Sequence, residues 1–173
     1  IELFSENLFA RTGRAEVLKE MGRHSEALAA YDETIERFSD NVVAHTGRAE
    51  VLKEMGRLPE ALAAYDETIE LFSENLFART GRAEVLKEMG RHSEALAAYD
   101  KTVEIFHGDA VARTGRAGVL KEMGRFAEAL AAYDETITLY SDDIFAHSGR
   151  AGVLKKMRGS PDVRGVVIEA SPQ

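Results

Sequence analysis

Met21-Gly22-Arg23 returns as Met55-Gly56-Arg57, Met89-Gly90-Arg91 and Met123-Gly124-Arg125, each copy 34 residues after the last. A fixed period of this length marks an array of supersecondary units, each unable to cover its own apolar face and dependent on stacking against its neighbours. Cut on that period, the array spans residues 1–157, with repeats at 8–41, 42–75, 76–109 and 110–143 and a half repeat at 144–157. Residues 1–32 are identical to residues 69–100, so the chain is built from a two-repeat block. By the same identity, residues 1–7 match 69–75 and read as the tail of a preceding repeat, which makes an array cut at both ends the expectation. After Met157 the pattern breaks at Arg158-Gly159-Ser160-Pro161, and residues 158–173 are expected to be a non-repeat tail: a cap, the start of another domain or a disordered stretch.

Within a repeat, Ala10, Ala15, Leu18 and Met21 recur at spacings near three and four, and Ala27, Tyr31, Ile35 and Phe38 do so after the glycine. Two amphipathic helices are predicted. The first runs from about Leu8 to Met21 and stops at Gly22, a residue that takes the left-handed conformation without steric cost. The second begins near Ser25 as N-cap, and Pro59 at the matching position marks a first-turn site where a missing N–H costs nothing. Ser39 and Asp40 are the residues expected to cap the following helix. No segment alternates like a strand, so the predicted fold is all-α: antiparallel helix-turn-helix repeats stacked into a right-handed superhelical solenoid.

Composition narrows the chemistry. With 45% hydrophobic and 30% charged residues the chain can both bury a core and stay dissolved, and a cytoplasmic setting is the expectation. The net charge of −8 repels phosphate backbones and anionic lipid, which disfavours nucleic acid and membrane as partners and favours a basic one. With no cysteine there is no disulfide framework, thiolate nucleophile or sulfur-based zinc site. His24 and His92 stand two repeats apart, His45 and His147 three, and His107 falls in a turn, so surface histidines are expected rather than a metal site. No phosphate-binding loop, nucleophile elbow or HExxH motif occurs, and the carboxylates recur in every repeat as a lattice would; neither catalysis nor a cofactor is expected.

A 34-residue helix-turn-helix unit with Gly22, Ala27 and Tyr31 at these spacings resembles the tetratricopeptide repeat over residues 1–157. Some family positions carry other residues: the aromatic near the start of the first helix is Arg11, the Leu-Gly pair is Arg14-Ala15, the later tyrosine is Leu18, and the proline between repeats is Ser39. The resemblance implies a protein-interaction scaffold whose first helices line a concave face that takes an extended peptide or a partner helix. The chaperone-binding branch of that family uses asparagine, arginine and alanine to clamp a C-terminal carboxylate; Gly13-Arg14-Ala15 lacks the asparagine, which argues against such a ligand here.

On the first helix, Phe9, Thr12, Glu16, Lys19 and Glu20 share one side. Repeated, they form a candidate partner-binding ladder: Phe9, Thr12, Glu16, Lys19; Val43, Thr46, Glu50, Lys53; Phe77, Thr80, Glu84, Lys87; and Thr114 with Lys121. The matching glutamates become Gly118 and Gly152, so a basic ligand is expected nearer the first three repeats. The alternative is a solvated face laced with Glu-Lys pairs. Gly13, Gly47, Gly81, Gly115 and Gly149 lie inside a helix at a cost of roughly 1 kcal/mol each, offset either by close helix packing or by approach of a ligand. Arg14, Arg48, Arg82, Arg116 and Arg150 are expected to pair with Asp32, Asp66, Asp100 and Asp134, since a partly buried guanidinium needs an acceptor. Beside the scaffold stand two other readings: a spacer or end-to-end self-associating array attached to another domain, and an RNA-binding solenoid, which the period and the negative charge disfavour.

Overall fold

The computed structural model describes the backbone of residues 2–159 and the side chains of residues 8–158. Among the described residues there are nine α-helices and no strand: α1 (Glu2–Glu20), α2 (His24–Arg37), α3 (Val42–Glu54), α4 (Leu58–Leu71), α5 (Leu76–Glu88), α6 (His92–Ile105), α7 (Ala110–Glu122), α8 (Phe126–Leu139) and α9 (Ile144–Gly159). The chain forms two compact units, Ile1–Arg91 and His92–Gln173. In the first, α1 packs on α2, α2 on α3, α3 on α4 and α4 on α5; in the second, α6 packs on α7, α7 on α8 and α8 on α9.

The glycine turns form as the period predicts. Gly22, Gly56, Gly90 and Gly124 take φ of 72°, 71°, 72° and 75°, where any side chain would be strained. At the first of them the Arg23 N–H reaches back to the Leu18 carbonyl at 2.9 Å and the Gly22 N–H to the Lys19 carbonyl at 2.8 Å, satisfying the orphan acceptors of the helix end.

The caps correct the sequence reading. Asn41, not Ser39 or Asp40, caps α3: its side chain accepts from the Ala44 N–H at 2.7 Å. Asn75, Asp109 and Asp143 repeat the bond to Ala78, Ala112 and Ala146 at 2.8, 2.6 and 3.0 Å. Only the residue immediately before the helix has both the extended backbone and the reach to the third N–H. Ser25 is likewise not an N-cap; α2 starts at His24 behind Arg23, which makes no capping bond through its side chain. The Arg23 guanidinium instead grips Glu26 at 2.7 and 2.6 Å, and Pro59 does sit in the first turn of α4.

The core is built from alanines that let helices approach closely, plugged by one tyrosine per hairpin. In the first unit Ala15, Leu18, Ala27, Ala30, Tyr31, Ala44 and Val51 form one cluster, and Ala49, Leu52, Ala61, Ala64, Tyr65, Ala78 and Val85 the next. In the second unit Ala117, Leu120, Ala129, Tyr133, Ala146 and Val153 repeat the motif. Thr34, Thr68, Thr102 and Thr136 are buried, and each returns its hydroxyl proton to the carbonyl four residues earlier at 2.7–2.8 Å.

One stretch departs from its twin. Residues 69–75 end α4 and turn ahead of α5, whereas residues 2–7 of the identical stretch lie within α1. Of the tail expected at 158–173, Arg158 and Gly159 continue α9 instead, and 160–173 lie outside the described residues.

Candidate functional site

Each joint between hairpins has the same two parts. The ring of Tyr31 lies against Gly47, Tyr65 against Gly81, Tyr99 against Gly115 and Tyr133 against Gly149, so closely that a Cβ on any of these glycines would overlap the ring. Close packing therefore accounts for the helical glycines at 47, 81, 115 and 149, and not for Gly13. Beside each ring, an arginine holds the next residue of the second helix: Arg48 Nε to Asp32 Oδ1 at 2.6 Å, and Arg82 to Asp66, Arg116 to Asp100 and Arg150 to Asp134 at 2.5 Å. The expected Arg–Asp pairing is present, with the arginine always sixteen residues after its aspartate. Arg14 is exposed and makes no ion pair among the described residues.

A loop clamp escaped the sequence reading. The residue at positions 45, 79, 113 and 147 turns back onto the loop carbonyl six residues earlier. His45 Nε2 lies 3.0 Å from Ser39, Arg79 reaches Ser73 at 2.6 and 2.8 Å, Arg113 reaches His107 at 3.0 Å, and His147 Nε2 lies 2.8 Å from Ser141. Histidine and arginine share only a planar N–H at the end of a side chain, a likeness the alternation His, Arg, Arg, His conceals.

The candidate ladder divides by chemistry. Phe9, Val43 and Phe77 are 79%, 46% and 77% exposed, large apolar groups in water on one side of α1, α3 and α5. The threonines are not open donors. Thr12 and Thr80 are buried and Thr46 half-buried, and their hydroxyls bond the Leu8, Leu76 and Val42 carbonyls at 3.0, 2.9 and 2.8 Å. Thr114 instead reaches Asp143 at 3.3 Å. Lys19 bridges Glu16 at 2.9 Å and Glu50 of the next hairpin at 2.6 Å, and Lys53 bonds Glu84 at 2.8 Å. Glu16 also accepts from the Tyr31 hydroxyl at 2.5 Å.

Burial alone would push the Glu16 carboxyl up, but the bonds from Tyr31 and Lys19 outweigh it and leave the group below its usual value. Burial likewise works against charge on Lys19 and Lys53, and their glutamates hold both above the ordinary ammonium range. Tyr31 is pushed up by burial and by its bond to Glu16, so its hydroxyl stays a donor. Lys87 and Lys121 have no ion pair among the described residues, and the register that pairs Lys53 with Glu84 meets Gly152 from Lys121. Glu20, Glu54, Glu88 and Glu122 are exposed at the far end of the same faces.

The histidines are less superficial than the sequence reading held. His45 is buried, its ring tilted 59° against Phe72 at 5.6 Å. His24 and His92 are half-buried, with Nδ1 3.3 and 3.7 Å from Glu54 and Glu122. Among the described residues no cluster of His, Asp or Glu is arranged to hold a metal ion, and no helix is long and apolar enough to cross a membrane. A cleft of about 460 Å³ in the second unit is lined by charges already matched to one another, Arg113 with Glu135 at 2.8 Å and Arg116 with Asp100 at 2.5 Å.

Two family models, each described as tetratricopeptide repeat, match residues 12–75 and 76–142. The fold is similar to a tetratricopeptide repeat protein from Parabacteroides merdae, with 23% identity, a TM-score of 0.77, and coverage of 96% of this chain and 67% of that one. It is similar also to TTC0263, a thermophilic TPR protein in Thermus thermophilus, with 18% identity, a TM-score of 0.74, and coverage of 85% and 81%. A third is YrrB, described as a TPR protein with an unusual peptide-binding site, with 21% identity, a TM-score of 0.67, and coverage of 94% and 84%. Among curated proteins none matches in sequence. Period, glycine turn, tyrosine joint and both family models agree: the chain belongs to the tetratricopeptide repeat family of all-α helical repeat proteins, which serve as scaffolds for protein–protein interaction.

Proposed function

We propose that the chain binds a peptide or partner helix on the side shared by its first helices, with apolar side chains against Phe9, Val43 and Phe77 and basic groups toward the exposed glutamates. The observation that carries this reading is the exposure of two phenylalanines, at 79% and 77%, on the same side of helices whose polar neighbours are already paired. Large apolar groups held in water on an ordered helix face mark an interaction surface. The internal Lys–Glu bonds redirect the charge argument: Glu16, Glu50 and Glu84 are engaged with lysines, so Glu20 and Glu88, with Glu54 beside His24, are the acids offered to a basic partner. YrrB, of like fold, is described as having a peptide-binding site, and the proposal extends peptide binding to this chain without its location.

Selection of a phage-displayed random peptide library against the whole chain tests the proposal. The expected winners are apolar peptides with lysine or arginine, lost on Phe77→Ser and weakened by Glu54→Lys with Glu88→Lys. Winners that bind both variants like the parent would overturn it.

A further inference from the structure

We propose that the second unit carries a notch for a single carboxylate of a bound peptide, an acidic side chain or a chain end, formed by Gly118, Lys121 and Tyr133. The first hairpin shows what such a notch accepts. There one carboxylate, that of Glu16, takes a hydrogen bond from the Tyr31 hydroxyl at 2.5 Å and another from the Lys19 ammonium at 2.9 Å. Three repeats later the tyrosine and lysine return as Tyr133 and Lys121, and the glutamate position is Gly118. The lysine's other acceptor is also missing from the sequence. Lys19 and Lys53 bond Glu50 and Glu84, each 31 residues on, whereas the same step from Lys121 falls on Gly152. Tyr133 is 2% exposed and makes no hydrogen bond among the described residues. Its hydroxyl oxygen lies 3.7 Å from where a Gly118 Cβ would stand, the one described atom of another helix within 4 Å of that point. Tyr65 lacks the bond too, but there the glutamate, Glu50, is present and bonds Lys19 instead.

Charge and hydrogen bonding select the occupant. Burial and the Glu122 charge push the Tyr133 hydroxyl up, so it stays a donor, and a buried donor needs an acceptor. Lys121 is half-buried and has no ion pair among the described residues. A hydroxyl and an ammonium in the register of Tyr31 and Lys19 suit two oxygens on one carbon. An amide offers a single oxygen and turns its own donors toward the ammonium, so Glu, Asp or a chain end is favoured over Gln or Asn. One ammonium balances one negative charge. A phosphate dianion would keep an excess charge near Glu122, whose carboxylate lies 3.7 Å from His92 Nδ1. The inference rests on the reading that peptides bind the first-helix side, and adds an acidic position at α7 to the basic preference of α1, α3 and α5.

A nuclear magnetic resonance titration of the whole isotope-labelled chain tests the proposal. The probes are the peptide Leu-Ala-Glu-Ala-Leu blocked at both ends, its blocked glutamine twin, and that twin with a free C-terminal carboxylate. Saturable shifts of the α7 amides are expected with the glutamate peptide or the free-carboxylate peptide, the tighter of the two naming the source, and not with the blocked twin. Gly118→Glu, which restores the residue found at 16, 50 and 84 and fills the notch in cis, should weaken binding at least about tenfold, as should Lys121→Gln. Tyr133→Phe, which keeps the ring on Gly149, should weaken it about fivefold. Absence of saturable shifts, equal binding of the blocked twin, or undiminished binding to Gly118→Glu overturns the proposal. Phe77→Ser separates the two readings. If it abolishes binding while Gly118→Glu does not, the notch fails and the apolar first-helix reading stands; if library peptides ignore Phe77→Ser while the glutamate peptide is still lost on Gly118→Glu, the notch alone stands.

Discussion

Residues 8–20 and 76–88 are the same thirteen letters, yet they live in different surroundings. In α5, Ala78 and Val85 are fully buried, Gly81 lies under the Tyr65 ring and Arg82 holds Asp66. In α1, Ala10, Gly13, Arg14 and Val17 all face solvent. Their opposite sides match: Ala15 and Ala83 are both at 0% exposure. Helix formation here is local, while burial of the side that carries Ala78, Gly81 and Val85 comes from the second helix packed on it. That dependence is the nearest-neighbour coupling of a linear array, made visible by one sequence serving as its own control.

Paired substitutions at matching positions can break this comparison. The largest contrast is expected for Gly81→Ala against Gly13→Ala. The first forces a methyl into the Tyr65 ring and should cost about 1–3 kcal/mol, whereas the second should stabilise by about 1 kcal/mol through helix propensity alone. Urea midpoints that move in the same direction would contradict the joint. Next, Val85→Ala should lose about 1.5–2 kcal/mol and Val17→Ala about 0.5 kcal/mol or less, measured in the same way. Smaller again, Arg82→Ala should cost about 0.5–1 kcal/mol, since its bond to Asp66 is half-exposed, while Arg14→Ala should be near neutral; equal losses would show that the arginine acts without its aspartate.

The smallest effect is a pH dependence. Because the folded state holds Glu16 below its ordinary 4.5, its contribution to stability is complete above that pH and is lost as acid drops through the lower folded value. After screening, the loss is at most about 0.5 kcal/mol. Thermal melts between pH 6 and 3 should therefore show a shallower acid slope for Glu16→Gln than for the parent. Lys19 has the opposite sign: held above 10.5, it supports the fold fully below that pH and ceases to do so as alkali passes the raised value.

Much of this was legible in the letters. Period and glycine spacing set every hairpin, and an arginine expected to be partly buried asked for an acceptor, found sixteen residues upstream on another helix. What stayed hidden depended on three-dimensional register. Ser39, Asp40 and Asn41 are all good capping residues, and only the backbone at Asn41 decides among them. The glycine at 47 could have faced a ligand or a ring; the choice lies with Tyr31, on a different helix. The ladder at Thr12, Glu16 and Lys19 read as a polar face, but the threonine back-bonds and the Lys–Glu bridges become visible only when consecutive first helices lie side by side.

The fit of a ring over a residue that lacks a Cβ also bears on how such a gene can grow. Sliding one helix by a single position would set Thr46 or Arg48, rather than Gly47, under Tyr31, so hairpins engage only in whole-repeat steps. Unequal crossing-over between near-identical repeats that adds or removes a multiple of 34 codons would restore every joint intact. Any other length would leave a side chain where the ring must lie. The joint thus favours changes in whole repeats, and the offset of 68 residues between the identical stretches 1–32 and 69–100 is two such steps.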